Sequence, residues 1–204
     1  MPRYIAFFKP CYVLSSFTHE VMSEGDAHTD ATKTTLSAFN LPPDVYAAGR
    51  LDYDSEGLLI LSDDGGFIHN LTDPAHKLPK TYVAQVEGTP TDAQLEPVRR
   101  GVSIRIKSAA LTTRPCGARV LAAAPDLPAR ERPITPHGST GWIELVLTEG
   151  KKRQVRHMTA AVGLPTLRLV RAQIGPVGIE GLAVGGWRDV TAAEVRAILR
   201  GGAG

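Results

Sequence analysis

Gly49-Arg50-Leu51-Asp52-Tyr53-Asp54-Ser55-Glu56-Gly57-Leu58-Leu59-Ile60-Leu61-Ser62-Asp63-Asp64-Gly65 is the densest run of chemically distinctive residues in the chain. Its second half reads as structure. Leu58 to Leu61 is unbroken and apolar, bounded by Gly57 and by Asp63-Asp64-Gly65-Gly66, the pattern of a buried strand ending in a tight turn. Its first half reads as chemistry. Gly49 and Gly57 bracket an acidic loop between two predicted strands, with permissive backbone on either side, and a loop carried on a rigid sheet is a usual place for catalytic groups.

Upstream of that loop, Tyr4 to Phe8 is an apolar and aromatic strand stopped by Lys9-Pro10, followed by loop to about Thr29. Asp30 is a candidate N-cap for a short helix through Phe39, and Val45 to Ala48 reads as a strand. Downstream, Phe67 to Leu71 predicts one or two helical turns, Tyr82 to Val86 a strand, and Thr91 to Arg100 an amphipathic helix with a Thr or Asp cap. Val102 to Lys107 alternates strictly, as a half-buried strand does. Ser108 to Gly141 is rich in Pro, Ala, Arg and Gly, and predicts a long loop with one strand near Arg119 to Ala122. Trp142 to Leu147 alternates again; a helix follows from about Lys152 to Val162, stopped by Gly163 and Pro165, and Leu167 to Ile174 is a strand. Thr191 with Glu194 forms a capping box for the last helix. Strands next to strands, with helices scattered between them, predict an α+β fold with a mostly antiparallel, mixed sheet and flanking helices. The length, 204 residues with 43% hydrophobic, suits a single domain spanning 1–204.

Charge is unevenly placed although the net value is only +2. No Asp or Glu occurs between Gly150 and Ile179, a stretch that holds Lys151, Lys152, Arg153, Arg156, Arg168 and Arg171. Cys11 and Cys116 form no CxxC pair, which predicts reduced thiols in a cytoplasmic protein. No apolar run reaches membrane-spanning length. The six histidines lack metal-ligand spacing, and Gly175-Pro176-Val177-Gly178 and Gly185-Gly186 do not match phosphate-loop or dinucleotide fingerprints. The expectation is therefore no metal and no cofactor.

From the residues alone, Asp52 has three readings: a turn or cap aspartate, one of a set of hard oxygen ligands with Asp54 and Glu56, or a catalytic carboxylate beside Arg50. A calcium loop would need further ligands and a glycine at set positions that this segment lacks.

Gly49-Arg50-Leu51-Asp52-x-x-Ser55-x-Gly57-Leu58-Leu59 resembles the signature loop of pseudouridine synthases, with the leucine-rich tail of their RsuA-like branch. Two further stretches resemble the same branch in the same order. Lys80-Thr81-Tyr82-Val83-Ala84-Gln85-Val86 is similar to its Lys-x-Tyr strand; Glu149 to Met158 is similar to its basic helix start, followed by Leu167-Arg168-Leu169-Val170-Arg171 and Ile174-Gly175. The resemblance runs from Phe7-Phe8-Lys9-Pro10 to the final helix, without the N-terminal RNA-binding domain that many members carry. It implies an isomerase that breaks the bond from ribose C1′ to uracil N1 and joins C5 to C1′, with no redox step. Asp52 is then the ionised carboxylate that attacks the sugar carbon or removes a sugar proton. Arg156 is its basic partner, Tyr82 stacks on the uracil, Leu169 packs against the base from the other side, and Arg50 helps to hold the opened RNA stack. A target nucleotide inside a helix must be extruded at a cost of roughly a few kcal/mol. Lys9, Lys80, Lys151, Lys152, Arg153, Arg168 and Arg171 are the expected RNA contacts, extended by Arg99, Arg100, Arg130 and Arg132. The implied partner is large-subunit (23S) ribosomal RNA or a ribosome-assembly intermediate, bound by a monomer.

Two other functions fit the same sequence. A noncatalytic RNA-binding or ribosome-assembly module on this fold would tolerate loss of the Asp52 carboxylate. A metal-dependent phosphodiesterase using the acidic loop would lose activity on chelation and would fragment its RNA.

Overall fold

The computed structural model describes residues 1–19, 32–76, 78–130 and 132–201. Its elements in chain order are β1 (Tyr4–Lys9), β2 (Tyr46–Ala47), β3 (Glu56–Ser62), α1 (Gly65–Thr72), β4 (Lys80–Glu87), α2 (Asp92–Arg100), β5 (Ser103–Ile106), β6 (Ala109–Thr112), β7 (Gly117–Leu121), β8 (Thr140–Leu147), α3 (Gln154–Ala161), β9 (Thr166–Ile174), β10 (Val177–Gly178), β11 (Trp187–Asp189) and α4 (Ala192–Gly201). The chain divides into two compact units, 1–76 with 176–204, and 77–175. The architecture is α+β and mostly antiparallel, as the order of elements predicts.

In the first unit β1 lies between β3 and β11, antiparallel to both, with Ala6 opposite Ile60 and Arg188. β2 adds to the other edge of β3 at Leu61 and Ser62. Every residue of β3 is buried. Leu59 and Leu61, with Ile5 and Phe7, pack against Val13, Leu36 and Val45, and α1 lies against β3 and α4, burying Phe67, Leu71, Val195 and Ile198. A strand covered on both faces needs no polar alternation, which explains the continuous run at Leu58–Leu61. One of the acids that follow it caps a helix: the Asp64 carboxylate accepts from the Phe67 amide at 3.1 Å and the Tyr4 hydroxyl at 2.9 Å.

In the second unit β4 is central, antiparallel to β8 on one side and β9 on the other, and β7 extends the sheet beyond β8. Ala84, Val86, Ile143, Leu145 and Leu169 of these strands share one core with Leu95 and Val98 of α2 and with Val155 and Met158 of α3. Thr91 and Gln94 close a reciprocal capping box at the start of α2.

The segment Ser108 to Gly141 is less irregular than expected, because it contains β6 in addition to β7, the strand expected near Arg119. β6 completes a hairpin with β5 through four residue pairs, from Ser103–Thr112 to Ile106–Ala109. The Asp30 cap lies outside the described residues; in 32–39 the helical content is one 3-10 turn, Leu36–Ala38.

Candidate active site

Asp52 sits on a loop that the first unit holds from several points along its backbone. The Ser55 amide donates to the Asp52 carbonyl at 3.0 Å, closing a four-residue turn. Just before it, the Ser15 hydroxyl donates to the Leu51 carbonyl at 2.9 Å and accepts from the Leu51 amide at 3.0 Å. Just after it, the Tyr12 amide donates to the Tyr53 carbonyl at 2.7 Å, and the Cys11 thiol reaches the Asp54 carbonyl at 3.4 Å. The Tyr12 and Tyr53 rings meet edge to face at 5.5 Å, with the Lys33 ammonium 5.3 Å from the Tyr53 ring centre. Gly49 (φ +84°) and Gly57 (φ +104°) admit the chain to this loop and release it through backbone that a side chain would strain. Ser55 is buried, and its hydroxyl oxygen has no hydrogen-bond partner.

Lys9 was expected at an RNA-facing surface, and the structure corrects this. It is fully buried, and its ammonium donates to the carbonyls of Pro10 at 2.8 Å and Val13 at 2.7 Å. Those bonds hold the turn on which Tyr12 adopts a left-handed φ of 60°, and Tyr12 and Ser15 in turn clamp the Asp52 loop. Lys9 is therefore connected to the Asp52 loop through backbone contacts.

The remaining catalytic candidates lie in the second unit, close in its register. Tyr82 on β4 is opposite Arg171 of β9, and two residues further Ala84 is opposite Leu169. The Tyr82 ring and Leu169 thus belong to one face, and both pack in the core shared with α3. Arg156 lies on α3, where its guanidinium donates to the Thr166 carbonyl at 3.1 Å at the start of β9. Lys80, at the start of β4, donates to the Leu78 carbonyl at 3.2 Å. Burial, and secondarily the charge of Arg171, lower its pKa.

The basic stretch before α3 is folded by Gln154, a residue that sequence reasoning missed. Its side chain is buried, donates to Glu149 Oε1 at 2.6 Å and accepts from the Lys151 amide at 2.9 Å. Arg153 then enters α3 from a left-handed φ of 53°. Lys151, Lys152 and Arg50 are exposed, whereas Arg153 is half-buried. Arg168 and Arg171 are 8% and 4% exposed, and Arg168 donates to the Pro128 carbonyl at 2.9 Å. These two are corrected from open-surface phosphate contacts to positive charge inside the unit. Arg99 pairs with Asp92 and Glu96, and Arg100 with Glu96, on the surface of α2.

Residues 3–161 match the model of the RNA pseudouridylate synthase family. The chain is 51% identical over 173 residues to "Ribosomal large subunit pseudouridine synthase E" of Xanthomonas axonopodis pv. citri, covering 84% of this chain and 89% of that one. It is 48% identical over 186 residues to the protein of the same name from Xanthomonas campestris pv. campestris, covering 90% and 97%. A solved structure described as a pseudouridylate synthase superposes with a TM-score of 0.75 at 26% identity, over 97% of this chain and 74% of that one. An acidic loop held along its backbone, a Tyr-bearing central strand and a basic helix start all fall within the matched span, and the chain belongs to the RNA pseudouridylate synthase family.

Proposed function

We propose that this chain isomerises a specific uridine of large-subunit ribosomal RNA to pseudouridine, with Asp52 as the essential carboxylate and the target nucleotide flipped from its helix. The observation that carries the reading is the Asp52 loop. Its backbone on both sides of the acid is bound by Ser15, Tyr12 and Cys11. Such fixation gives a reacting group the preorganised geometry that catalysis requires. The names carried by the two Xanthomonas relatives support the large ribosomal subunit as the source of substrate.

In this reading the carboxylate acts on the ribose while the glycosidic bond to N1 opens, and the uracil turns before C5 joins C1′. Arg156 is the basic residue that the family resemblance assigns as partner to the acid. Tyr82 stacks on the uracil and Leu169 packs against it, recovering part of the cost of extrusion. Arg50, Lys151, Lys152 and Arg153 contact phosphates, giving affinity without sequence choice. Lys80, Arg168 and Arg171 add positive potential from inside their unit. Among the described residues both cysteines are free thiols, which supports a reducing compartment, the cytoplasm.

The test is incubation of wild type and Asp52→Asn with protein-free ribosomal RNA, without added metal or cofactor, read by carbodiimide-dependent reverse-transcription stops. Wild type is expected to create a stop in large-subunit RNA and Asp52→Asn to create none. Identical blank profiles for both proteins across all cellular RNAs, or equal stops from both, would overturn the assignment.

A further inference from the structure

A second acid-free stretch is present in the chain. Between Pro97 and Pro125 there is no Asp or Glu, while Arg99, Arg100, Arg105, Lys107, Arg114 and Arg119 all occur. The fold treats these cations in two ways. Arg99 and Arg100 pair with acids on their own helix, and Arg119 makes a two-pronged contact with Glu144 at 2.7 and 2.9 Å. Arg105, Lys107 and Arg114 are exposed, and among the described residues no carboxylate pairs with their side chains.

All three belong to the β5–β6 hairpin or to the segment leaving it. The hairpin is firmly built. Ile104 is buried, and Ile106 and Leu111 pack against the core of the second unit. At its open end the Thr113 amide donates to the Val102 carbonyl at 3.0 Å and the Thr113 hydroxyl accepts from the Val102 amide at 3.0 Å. Alternation then turns the other face outward. That face carries Arg105 opposite Ala110, and Ser103 opposite Thr112, so small and hydroxylated neighbours leave the guanidinium unobstructed. Lys107 stands at the tip in a left-handed turn, φ 54°. The hairpin also borders the basic helix start. α3 packs against β5, and the Arg114 amide donates to Glu149 Oε1 at 2.9 Å, two residues before Lys151.

We propose that the outer face of the β5–β6 hairpin, through Arg105, Lys107 and Arg114, is a docking surface for the RNA sugar–phosphate backbone, continuous with Lys151 and Lys152. This rests on the functional reading above and adds a surface to it. A rigid face that holds several cations, with none of the unit's own acids paired to them, is complementary to a polyanion. It lacks aromatic side chains and offers charge plus hydroxyls, so it positions RNA without reading bases.

The test compares Arg105→Ala/Lys107→Ala with Arg196→Ala/Arg200→Ala, which removes the same charge from exposed positions on α4. Dissociation constants for protein-free large-subunit ribosomal RNA and for an unrelated RNA duplex are measured across a potassium chloride series. For the hairpin variant the slope of log affinity against log salt is expected to fall in magnitude by about 0.9 for each duplex phosphate no longer neutralised, with equal weakening for both RNAs. The α4 variant is expected to keep the wild-type slope. Adding Arg114→Ala should lower the slope again, and Arg105→Lys should retain it. If the hairpin variant melts early, Arg105→Gln/Lys107→Gln repeats the measurement with longer side chains. A hairpin variant whose slope equals that of wild type or of the α4 variant overturns the proposal. Wild type that binds neither RNA overturns instead the functional reading beneath it.

Discussion

The Ser15 hydroxyl contacts both polar atoms of the Leu51 peptide backbone, donating to its carbonyl at 2.9 Å and accepting from its amide at 3.0 Å. One side chain thereby fixes the residue immediately before Asp52, from a position 36 residues away in sequence. Ser15→Ala removes both bonds, and about 1–3 kcal/mol of stability should be lost. Because the change lies beside the carboxylate proposed to react, turnover should fall roughly tenfold to a hundredfold, while RNA affinity stays unchanged. Ser15→Thr keeps the hydroxyl and should recover most of kcat. Equal losses in kcat and affinity, or no rescue by threonine, would show that Ser15 does not position the acid.

Ser55 presents the opposite case. Its hydroxyl is buried without a hydrogen-bond partner, and an unmet buried polar group destabilises the free protein. Ser55→Ala should leave the melting temperature unchanged or raise it, by up to about 1 kcal/mol in stability. If the hydroxyl is kept for a partner that arrives with substrate, turnover falls in the same variant. Higher stability with full activity would remove any functional role for Ser55.

Lys9 separates a structural lysine from an RNA contact. Lys9→Met preserves an apolar stem but leaves the Pro10 and Val13 carbonyls without their donor, and should cost about 2–4 kcal/mol. Turnover should fall with it, because the same turn carries Tyr12 onto the Asp52 loop. The salt dependence of RNA binding, measured on protein that remains folded, should match wild type. A shallower slope would return Lys9 to the RNA surface.

Ser15 and Lys9 also mark where sequence reading stops. The Gly49–Gly65 stretch was legible because its signals are contiguous: an apolar run buried on both faces, glycines at positive φ, and acids at a turn. Trp142–Leu147 and Val102–Lys107 were legible because one face is buried and the other is not. β6 was not, since Ala109-Ala110-Leu111-Thr112 has weak strand preference and becomes a strand only through pairing with β5. β11 has three residues and exists through its register with β1. Ser15, Tyr12 and Lys9 carried no local signal, because their task is set by backbone atoms remote in sequence. Lys9 was misread for a general reason: lysine is seldom fully buried, and its carbonyl partners are invisible before the chain turns back at Pro10.

The last helix supplies a prediction in pH. Glu194 receives two hydrogen bonds from the Arg188 guanidinium, at 2.8 and 2.9 Å, and two more from the amide and hydroxyl of Thr191. The Arg188 bond is the main cause, and it lowers the Glu194 pKa from 4.5 to about 2. A carboxylate with a depressed folded-state pKa contributes stability that is complete above its ordinary value of 4.5 and is lost as pH falls towards about 2. The contribution at neutral pH is at most about 3 kcal/mol, reduced by solvent screening at this partly exposed pair. Unfolding of wild type and Glu194→Gln should therefore differ most at neutral pH, and the two curves should converge between those two pH values. A difference that persisted unchanged at the acid end would mean that the Thr191 cap, which a glutamine can still accept from, and the Arg188 pair do not act through the charge of Glu194.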